Sequence, residues 1–478
     1  MNLRLHLSII ILSLTALLLA PLVALSAAVN RPFPQSANFA GYGFRPANFT
    51  QAQLDSTVSN FWVSWKRNYL APSTKVPGDY KVNYDGTGAT VSEAVGYGML
   101  LSVYLAGADA DAKNCFDGLN RFRKRYPSNI NPGLMCWKIP ANENSVNDDC
   151  ATDGDLDMAL ALLLAHRQWG DIAYLSEATN YLNAIAAGLV RSDYSLRLGD
   201  WNSAAGQTRP SDFMPAHFRS FCLATGNGFW TNVENKCYAI LEQLQTNSAP
   251  ATGLTPDFSV VATNMWIPAS ANFLEGSHDG HYYYNSCRVP WRIGWAAWHY
   301  DDVRARRVLS RFMAWTVSHH AAPANFKAGY KLDGSNISGN GYDTACFISP
   351  TGVAAMVTTN QTWLNSAFTY GNTKREAYYE DSVSLLSMLV MSGNAWLLLP
   401  TNPPPRVSQC SPGVGGSFVL SGTAPAGETF RVFAATDPSL PMSNWIPIES
   451  GTAAGGGFTF ADLLASNFPR RYYRVGAP

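Results

Sequence analysis

Charged side chains are scarce in this chain, and neither sign is in excess. Lysine and arginine together number 34, aspartate and glutamate also number 34, and the four types make up 14% of the 478 residues. An average globular protein contains about 25%. Without a basic surface field, the chain is not expected to bind nucleic acid. Aromatic residues reach 12%, which favours neutral polymers that stack on rings, carbohydrates first among them.

Signatures of metal binding are also missing from the sequence. The eight cysteines include no C-x-x-C pair, the usual mark of a zinc site. The D-x-D-x-D run that starts at Asp153 opens like an EF-hand loop, but its sixth and twelfth positions are Met158 and Leu164 rather than Gly and Glu. His278 and His281 have no evident third ligand. We therefore expect no metal and no other cofactor.

The apolar run near the N-terminus, from Leu7 to Ala20, is short for a membrane span. A basic residue precedes it and small residues follow it, in the order typical of a secretory signal. We expect residues 1–28 to be a signal peptide and the mature protein to be secreted or periplasmic, with no membrane association. A retained N-terminal anchor is the alternative. Export would make the cysteines disulfide candidates, and their spacing favours two local pairs, Cys136 with Cys150 and Cys222 with Cys237.

A proline-rich linker, residues 401–409, divides the chain into two predicted domains. Residues 29–400 carry helical patterns. Residues 410–478 contain short alternating segments separated by Gly, Ser, Asn and Pro, which predict a small β module. We expect this module to be a passive stabilising domain, with sugar binding and attachment to a larger assembly left open. The protein is expected to be a monomer.

The helical patterns are of two kinds, which tend to alternate along the chain. Amphipathic segments occur near 52–68, 112–124, 174–185, 229–245, 303–316 and, more weakly, 361–370. The other segments are apolar nearly all round, and a helix without a polar face must be covered on every side. Six of each kind predict two concentric rings, an all-α (α/α)6 barrel. Pro350 and Gly352 interrupt the pattern in the weakest part.

Polar residues gather just before the apolar helices begin: Glu93, Asp153, Asp212, and Asn285 with Arg288. In such a barrel the inner helices start at one end, so these side chains are expected to converge on a single cleft. Glu93 has a second interpretation, since Thr90-x-x-Glu93 has the pattern of a capping box. Its apolar neighbours would equally raise its pKa, as a proton donor near neutrality requires.

Four stretches of the sequence carry a resemblance to one family. They are SEAVGYGM, ATDGDLDMALALLLAHRQW, PSDFMPAHFRSF and NSCRVPWRI. The second, residues 151–169, resembles the signature of glycoside hydrolase family 8 at every constrained position. The first resembles the general-acid motif of that family, the fourth resembles its third hallmark, and the remaining stretch is also similar to it. The resemblance covers roughly residues 32–396 and leaves the β module outside.

The resemblance implies an (α/α)6 barrel that hydrolyses a β-1,4-linked glucan, chitosan or xylan with inversion at the anomeric carbon. Endoglucanase or licheninase activity is expected slightly ahead of chitosanase activity. Glu93 matches the general acid, and Asp153 matches the carboxylate that holds the distorted sugar. The residues expected to bind the polysaccharide substrate are Trp137, Tyr97, Trp201, Asn285, Arg288, Tyr284 and Asp212.

One position departs from the best-known branch of that family. Asn285 stands where the branch has an aspartate as general base, and an amide does not take a proton from water. A second branch also has asparagine here and takes a glutamate from an upstream loop. We therefore expect Glu275 to be the base, with Asp279 as the second candidate. A glycan-binding protein that has lost its base is the alternative from another functional class.

Overall fold

The computed structural model describes residues 29–36, 41–144, 148–358, 360–399, 405–424, 429–440, 444–453 and 455–476. The predicted signal peptide, residues 1–28, and part of the predicted linker lie outside this set. The chain divides into two compact units, of which the first extends to Trp396 apart from residues 223–226, and the second contains the rest. Each unit is described separately.

Twelve helices form the described part of the first unit, and they alternate as the sequence predicts. The odd-numbered helices are amphipathic: α1 Gln51–Tyr69, α3 Ala112–Arg125, α5 Ile172–Leu189, α7 Phe229–Asn247, α9 Val303–His319 and α11 Gln361–Thr373. The even-numbered helices are buried nearly all round: α2 Ser92–Tyr104, α4 Thr152–Trp169, α6 Pro215–Thr225, α8 Val289–Tyr300, α10 Ala345–Val357 and α12 Tyr378–Met391. Six inner and six outer helices fit an (α/α)6 barrel.

The inner helices need neighbours on every side because they have no polar face. Every residue of α10 is buried, whereas α3 buries only one side and exposes residues such as Lys124. The last inner helix, α12, packs against α2 and α1, which closes the ring. Trp65 of α1 donates to Ser382 Oγ at 2.8 Å, and the Tyr69 hydroxyl donates to Asp381 Oδ2 at 2.8 Å.

Helix α10 continues through the two residues that interrupt its sequence pattern. Pro350 lies inside the helix, where it removes one backbone hydrogen bond. Gly352 is required by close packing, since a Cβ at this position would lie 2.4 Å from the Met391 sulfur and 3.0 Å from Ala367 Cβ. Surrounding helices therefore override two local helix breakers.

Short antiparallel strands connect the helices at the end where the inner helices begin. Strand β1 (Leu70–Pro72) pairs with β2 (Tyr80–Val82), and β3 (Thr90–Val91) pairs with β4 (Lys138–Ile139). The third group, β5 to β7, is formed by Gln207–Thr208, Ser259–Ala262 and Met265–Pro268. Strand β3 leads directly into α2, so its pairing with β4 fixes where that helix starts.

The predicted disulfides are not formed, since all eight cysteines are free. Cys136 and Cys150 make separate contacts: the Cys136 thiol donates to the Lys138 carbonyl at 3.4 Å, and the Cys150 sulfur accepts from the Asp200 amide at 3.3 Å. The Cys222 sulfur accepts from Thr231 Oγ1 at 3.5 Å instead of bonding to Cys237. Spacing in the sequence was a poor guide because Cys136, Cys150 and Cys222 each contact a separate local group.

The described part of the second unit contains six strands in two three-stranded antiparallel sheets. They are β8 Arg406–Pro412, β9 Phe418–Thr423, β10 Thr429–Ala435, β11 Ile446–Thr452, β12 Gly457–Asp462 and β13 Tyr472–Gly476. The sheet orders are β11-β10-β13 and β12-β9-β8, around a core that includes Leu420, Val432 and Phe458. The first strand begins inside the predicted linker because Arg406 pairs with Thr423. No described helix is long and apolar enough to cross a membrane.

Candidate active site

Arg288, in the turn that leads into α8, joins three of the predicted site residues. One of its terminal nitrogens lies 2.8 Å from Glu93 Oε2 and 2.7 Å from Asp153 Oδ2. The other donates to Asn285 Oδ1 at 2.9 Å and to Ser211 Oγ at 3.0 Å. The starts of α2, α4 and α8 and the segment before α6 therefore converge, as predicted from their polar residues.

The capping-box interpretation of Glu93 is wrong. Val91 is the residue that caps α2, and no side chain makes a capping hydrogen bond there. The Glu93 carboxyl group is directed into the site, where it accepts from Arg288 through Oε2 and from the Tyr378 hydroxyl at 3.1 Å through Oε1. The side chain of Glu93 remains 16% exposed, so its carboxyl group stays accessible from the cleft.

Burial, helped by the nearby Asp153 charge and opposed by Arg288, raises the pKa of Glu93 to about 7. The charges around it agree with a protonated acid. Two cations, Arg209 and Arg288, face three acidic groups: Glu93, Asp153 and Asp212. With a proton on Glu93, the two cations face two carboxylates. The site is therefore built to hold one proton on Glu93 near neutral pH.

Asp153 has the opposite electrostatic environment. Arg209 lies 2.8 Å from its Oδ1 and Arg288 lies 2.7 Å from its Oδ2. These two guanidinium groups hold the pKa of Asp153 far below its usual range, against the effect of burial. Asp153 is therefore the permanent anion of the site and Glu93 is the group that carries a proton.

Glu275, the predicted base, lies next to Asn285. Its Oε2 accepts from Asn285 Nδ2 at 2.8 Å, and Glu275 itself is exposed on the loop before α8. Asn285 is fixed from behind, because its backbone amide donates to Asp257 Oδ2 at 3.1 Å. The side-chain oxygen of Asn285, Oδ1, accepts from Arg288. A continuous array of hydrogen bonds therefore runs from Glu93 through Arg288 and Asn285 to Glu275.

Asp279, the second candidate base, has a different task. It is buried, and its carboxylate accepts from the backbone amides of Leu274, Glu275 and Gly276 at 2.6, 3.0 and 2.9 Å. These three bonds shape the loop that presents Glu275. With both oxygens occupied by its own loop, Asp279 is placed to support the neighbouring carboxylate rather than to receive a proton from water.

An open cavity of about 460 Å³ lies beside these residues. It is lined by Trp137, Asp149, Cys150, Ala151, Leu198, Trp201, Leu274 and Glu275. The two tryptophans are each 38% exposed, which leaves ring surface available to a sugar. The predicted stacking residues and the predicted base therefore share one cavity.

The cavity wall is tied to the helix starts by backbone hydrogen bonds. The Ser92 amide donates to the Trp137 carbonyl at 2.9 Å, directly beside Glu93. The Thr152 amide donates to the Leu198 carbonyl at 3.2 Å, directly beside Asp153. The wall and the acidic groups are thus held in a fixed relation by main-chain contacts.

Five residues predicted to bind substrate lie outside the cavity lining: Asn285 and Arg288, described above, and Tyr97, Asp212 and Tyr284. Tyr97 and Asp212 are fully buried, Tyr97 behind Arg288 and Asp212 against Arg209. Burial also raises the pKa of Asp212 to about 6. The Tyr284 hydroxyl shares a hydrogen bond with that of Tyr342 at 2.8 Å. These residues support the site and do not line the cavity beside it.

Several site residues were missed from the sequence. Tyr378 begins the last inner helix, so the rule that polar groups gather at inner-helix starts would have identified it. Arg209 precedes a recognised motif by one residue. Asp149 lies just before the start of α4, so the same rule would have identified it as well. Asp257 had no such signal, since it lies far from the start of any apolar helix.

The other two acids of the D-x-D-x-D run have partners of their own and do not contact the groups around Asp153. Asp155 accepts from the Met135 amide at 3.0 Å and from the Tyr181 hydroxyl. Asp157 pairs with Arg292. Across the described ranges, no three potential metal ligands come together.

Comparison with known proteins agrees with this geometry. The family model of glycosyl hydrolases family 8 matches residues 47–393. A beta-glucanase of Niallia circulans is 45% identical over 392 residues, 80% of this chain and 95% of the relative. An endoglucanase of Bacillus sp. strain KSM-330 is 38% identical over 77% of this chain and 82% of its own length. The apo structure of a beta-1,3-1,4-glucanase from Paenibacillus sp. X4 is 43% identical with a TM-score of 0.75, over 78% of this chain and all of that one. The chain therefore belongs to glycosyl hydrolase family 8 and is a glycoside hydrolase.

Proposed function

We propose that the protein is an inverting endo-glycosidase that cleaves β-1,4-linked glucan chains. Glu93 is the general acid, Glu275 is the general base, and Asp153 holds the sugar at the cleavage point. The observation that carries the proposal is the 2.8 Å hydrogen bond between Asn285 and Glu275, because it supports the expectation that Glu275 supplies the carboxylate that Asn285 lacks.

The two carboxyl groups have the properties that this reaction needs. Glu93, with a pKa of about 7, donates its proton to the glycosidic oxygen. Arg288 and Tyr378 then stabilise the carboxylate that remains, since both already donate to it. Glu275 takes a proton from the water that attacks the anomeric carbon on the opposite face. Inverting enzymes place these two carboxyl groups about 6.5–9.5 Å apart to admit that water.

The cavity favours a neutral chain of glucose units. Trp137 and Trp201 offer exposed ring faces, and the apolar part of the lining includes Leu198 and Leu274. The beta-glucanase, endoglucanase and beta-1,3-1,4-glucanase relatives support glucan as the substrate class. Chitosan is the second candidate, because Asp149 and Glu275 are carboxylates of the same cavity and would attract its amine cations.

The non-catalytic alternative is a glycan-binding protein without a base. It depends on the absence of a carboxylate opposite Glu93, and the position of Glu275 beside Asn285 opposes it. A pure binding protein also has no use for an acid whose pKa is raised by burial. We propose in addition that the enzyme acts outside the cytoplasm, as a monomer, on polysaccharide that it meets there.

A substrate panel tests the proposal. Reducing ends released from mixed-linkage β-glucan, carboxymethyl cellulose, chitosan and xylan are measured side by side, with viscosity followed to separate endo from exo cleavage. We expect the highest rate on a β-glucan, with a rapid fall in viscosity. A higher rate on chitosan would mean that chitosan, and not glucan, is the substrate. Binding of glucan with no release of reducing ends between pH 4 and 9 would establish the non-catalytic alternative.

A further inference from the structure

A second ion pair lies one helical turn below the pair at the site. Asp157 follows Asp153 by four residues on α4. Arg292 of α8 follows Arg288, the residue just before that helix, also by four residues. Arg292 binds Asp157 with both terminal nitrogens, at 2.7 Å to Oδ1 and 2.5 Å to Oδ2. Because residues four apart lie on the same face of a helix, the two pairs stand one above the other between the same two helices.

A third inner helix joins the lower pair. His217 of α6 lies with its Nε2 2.8 Å from Asp157 Oδ1. The segment that leads into α6 supplies Arg209 and Ser211 to the upper layer, where they contact Asp153 and Arg288. The lower layer therefore connects the same three parts of the chain that meet around the upper pair.

The lower pair has no access to substrate. Asp157 and Arg292 are completely buried and His217 is 1% exposed. Between the layers stands the Tyr97 ring, whose hydroxyl accepts from Arg288 at 3.4 Å and whose face lies 5.8 Å from the Arg292 guanidinium. The influence of the lower layer on the reaction must therefore pass through the helices and through Arg288.

Stability alone does not account for this arrangement. Burying two charges requires large desolvation, and a buried ion pair is often replaced by apolar residues with no loss of stability. What the two-point contact provides is a fixed register between α4 and α8. That register sets the 2.7 Å distance between Asp153 and Arg288, and with it the placement of Arg288 on Glu93.

We propose that Asp157, Arg292 and His217 form a positioning layer that aligns Arg288 with Glu93 and Asp153 for catalysis. The inference rests on the proposed roles of Glu93 and Asp153 and extends them to residues that never touch the sugar. Displacement by about 1 Å of a group at the reacting centre lowers turnover by up to about 100-fold, even when the mutation is remote. Substrate binding to the cavity wall that carries Trp137 and Trp201, the tryptophan wall, is expected to stay largely intact.

The test compares Asp157→Asn and the milder Arg292→Lys with a matched control. Lysine keeps the cation of Arg292 but loses its two-point contact. Glu234→Gln is the control, because Glu234 is also a buried carboxylate and pairs with two arginines, Arg219 and Arg304, that are not residues of the site. Melting temperature, kcat and KM on β-glucan are measured for each purified, folded enzyme.

We expect kcat to fall about 10- to 100-fold in Asp157→Asn and about 10-fold in Arg292→Lys, with KM within about threefold of the parent. Glu234→Gln is expected to lower the melting temperature with kcat within about twofold. The apolar double variant Asp157→Leu/Arg292→Met separates the two roles, because its melting temperature is expected to recover while its kcat stays low.

Parental kcat in folded Arg292→Lys and in the apolar double variant would overturn the inference, as would an equal fall of kcat in Glu234→Gln. If Asp157→Asn does not fold, Arg292→Lys and the apolar double variant still test the inference. Glu93→Gln is assayed in parallel: if it retains turnover, the proposed function fails, whereas a dead Glu93→Gln with parental positioning variants refutes the positioning layer alone.

Discussion

The two sides of the site are built in different ways. On one side, Glu93, Asp153 and Arg288 lie at the starts of inner helices, largely buried and linked by ion pairs. On the other side, Glu275 and the two tryptophans are exposed and come from loops and short connections. Burial on the helix side shifts pKa values, whereas exposure on the wall leaves side chains available to the sugar chain.

This difference assigns separate tasks to the two sides. Helix starts that are locked by neighbouring helices give fixed geometry, which proton transfer and sugar distortion need. Loops give extended contact with a long polymer, which affinity needs. Mutations on the helix side are therefore expected to lower kcat, and mutations of the tryptophan wall are expected to raise KM.

The largest effect is expected for Glu93→Gln. The amide keeps the size of the side chain and one acceptor for Arg288 but has no acid proton to donate. We expect kcat on β-glucan to fall about 10,000-fold, the upper range for loss of a general acid, with KM nearly unchanged. Far-ultraviolet circular dichroism checks the fold, and normal turnover by a folded variant would refute the role.

Glu275→Gln is expected to lower kcat about 1,000-fold, because the attacking water loses its base. Azide, a nucleophile that needs no deprotonation, should restore glycosyl transfer in this variant. Asp279→Asn provides the comparison: it weakens the loop and is expected to lower kcat about tenfold, with no response to azide. If kcat fell further in Asp279→Asn than in Glu275→Gln, and azide restored turnover in Asp279→Asn, then Asp279 would be the general base.

The pH dependence of kcat is expected to follow the ionisation of Glu93, on the buried side of the site. Glu93 acts in its protonated form, and burial raises its pKa to about 7. Turnover is therefore retained below pH 7 and falls about tenfold per pH unit as the pH rises above it. A series of kcat values from pH 6 to 9 measures this, and a flat profile up to pH 9 would contradict the environment described for Glu93.

Smaller effects are expected on the wall. Trp137→Ala and Trp201→Ala each remove an exposed ring from the cavity, and we expect KM to rise about tenfold, equal to about 1.4 kcal/mol, while kcat changes less than threefold. Phenylalanine at each position keeps a stacking face and serves as the control. A selective loss of kcat would mean that the ring positions the reacting sugar.

Much of the barrel could be predicted because its signal is periodic. Each amphipathic segment in the sequence corresponds to an outer helix, and even the weak segment near residue 361 forms α11. Local irregularities were harder to predict. Pro350 and Gly352 interrupt the helical pattern of the sequence, yet contacts with the surrounding helices maintain α10. In the β module, the strands Arg406–Pro412 and Ile446–Thr452 are difficult to predict because their apolar alternation is weak.

The site was predictable where helix position decides it, and less so elsewhere. Glu93, Asp153 and Arg288 follow from the rule that polar groups collect at inner-helix starts. That rule also placed Asp212 near the site, and the family resemblance led us to expect Tyr97 there, but only burial shows that both lie behind it. The partners of Asp157 are set by α6 and α8, far away in the sequence, so no local pattern identifies the lower ion pair.

The arrangement of acid, water and base is tested most directly by the configuration of the first product. Proton NMR of fresh β-glucan hydrolysate, recorded within minutes of adding enzyme, follows the anomeric signals before mutarotation mixes them. If a base opposite Glu93 activates the attacking water, the signal of the α-anomer appears first and that of the β-anomer grows later, as mutarotation proceeds. Initial appearance of the β-anomer would mean a covalent intermediate, and would contradict the roles given to Glu93 and Glu275.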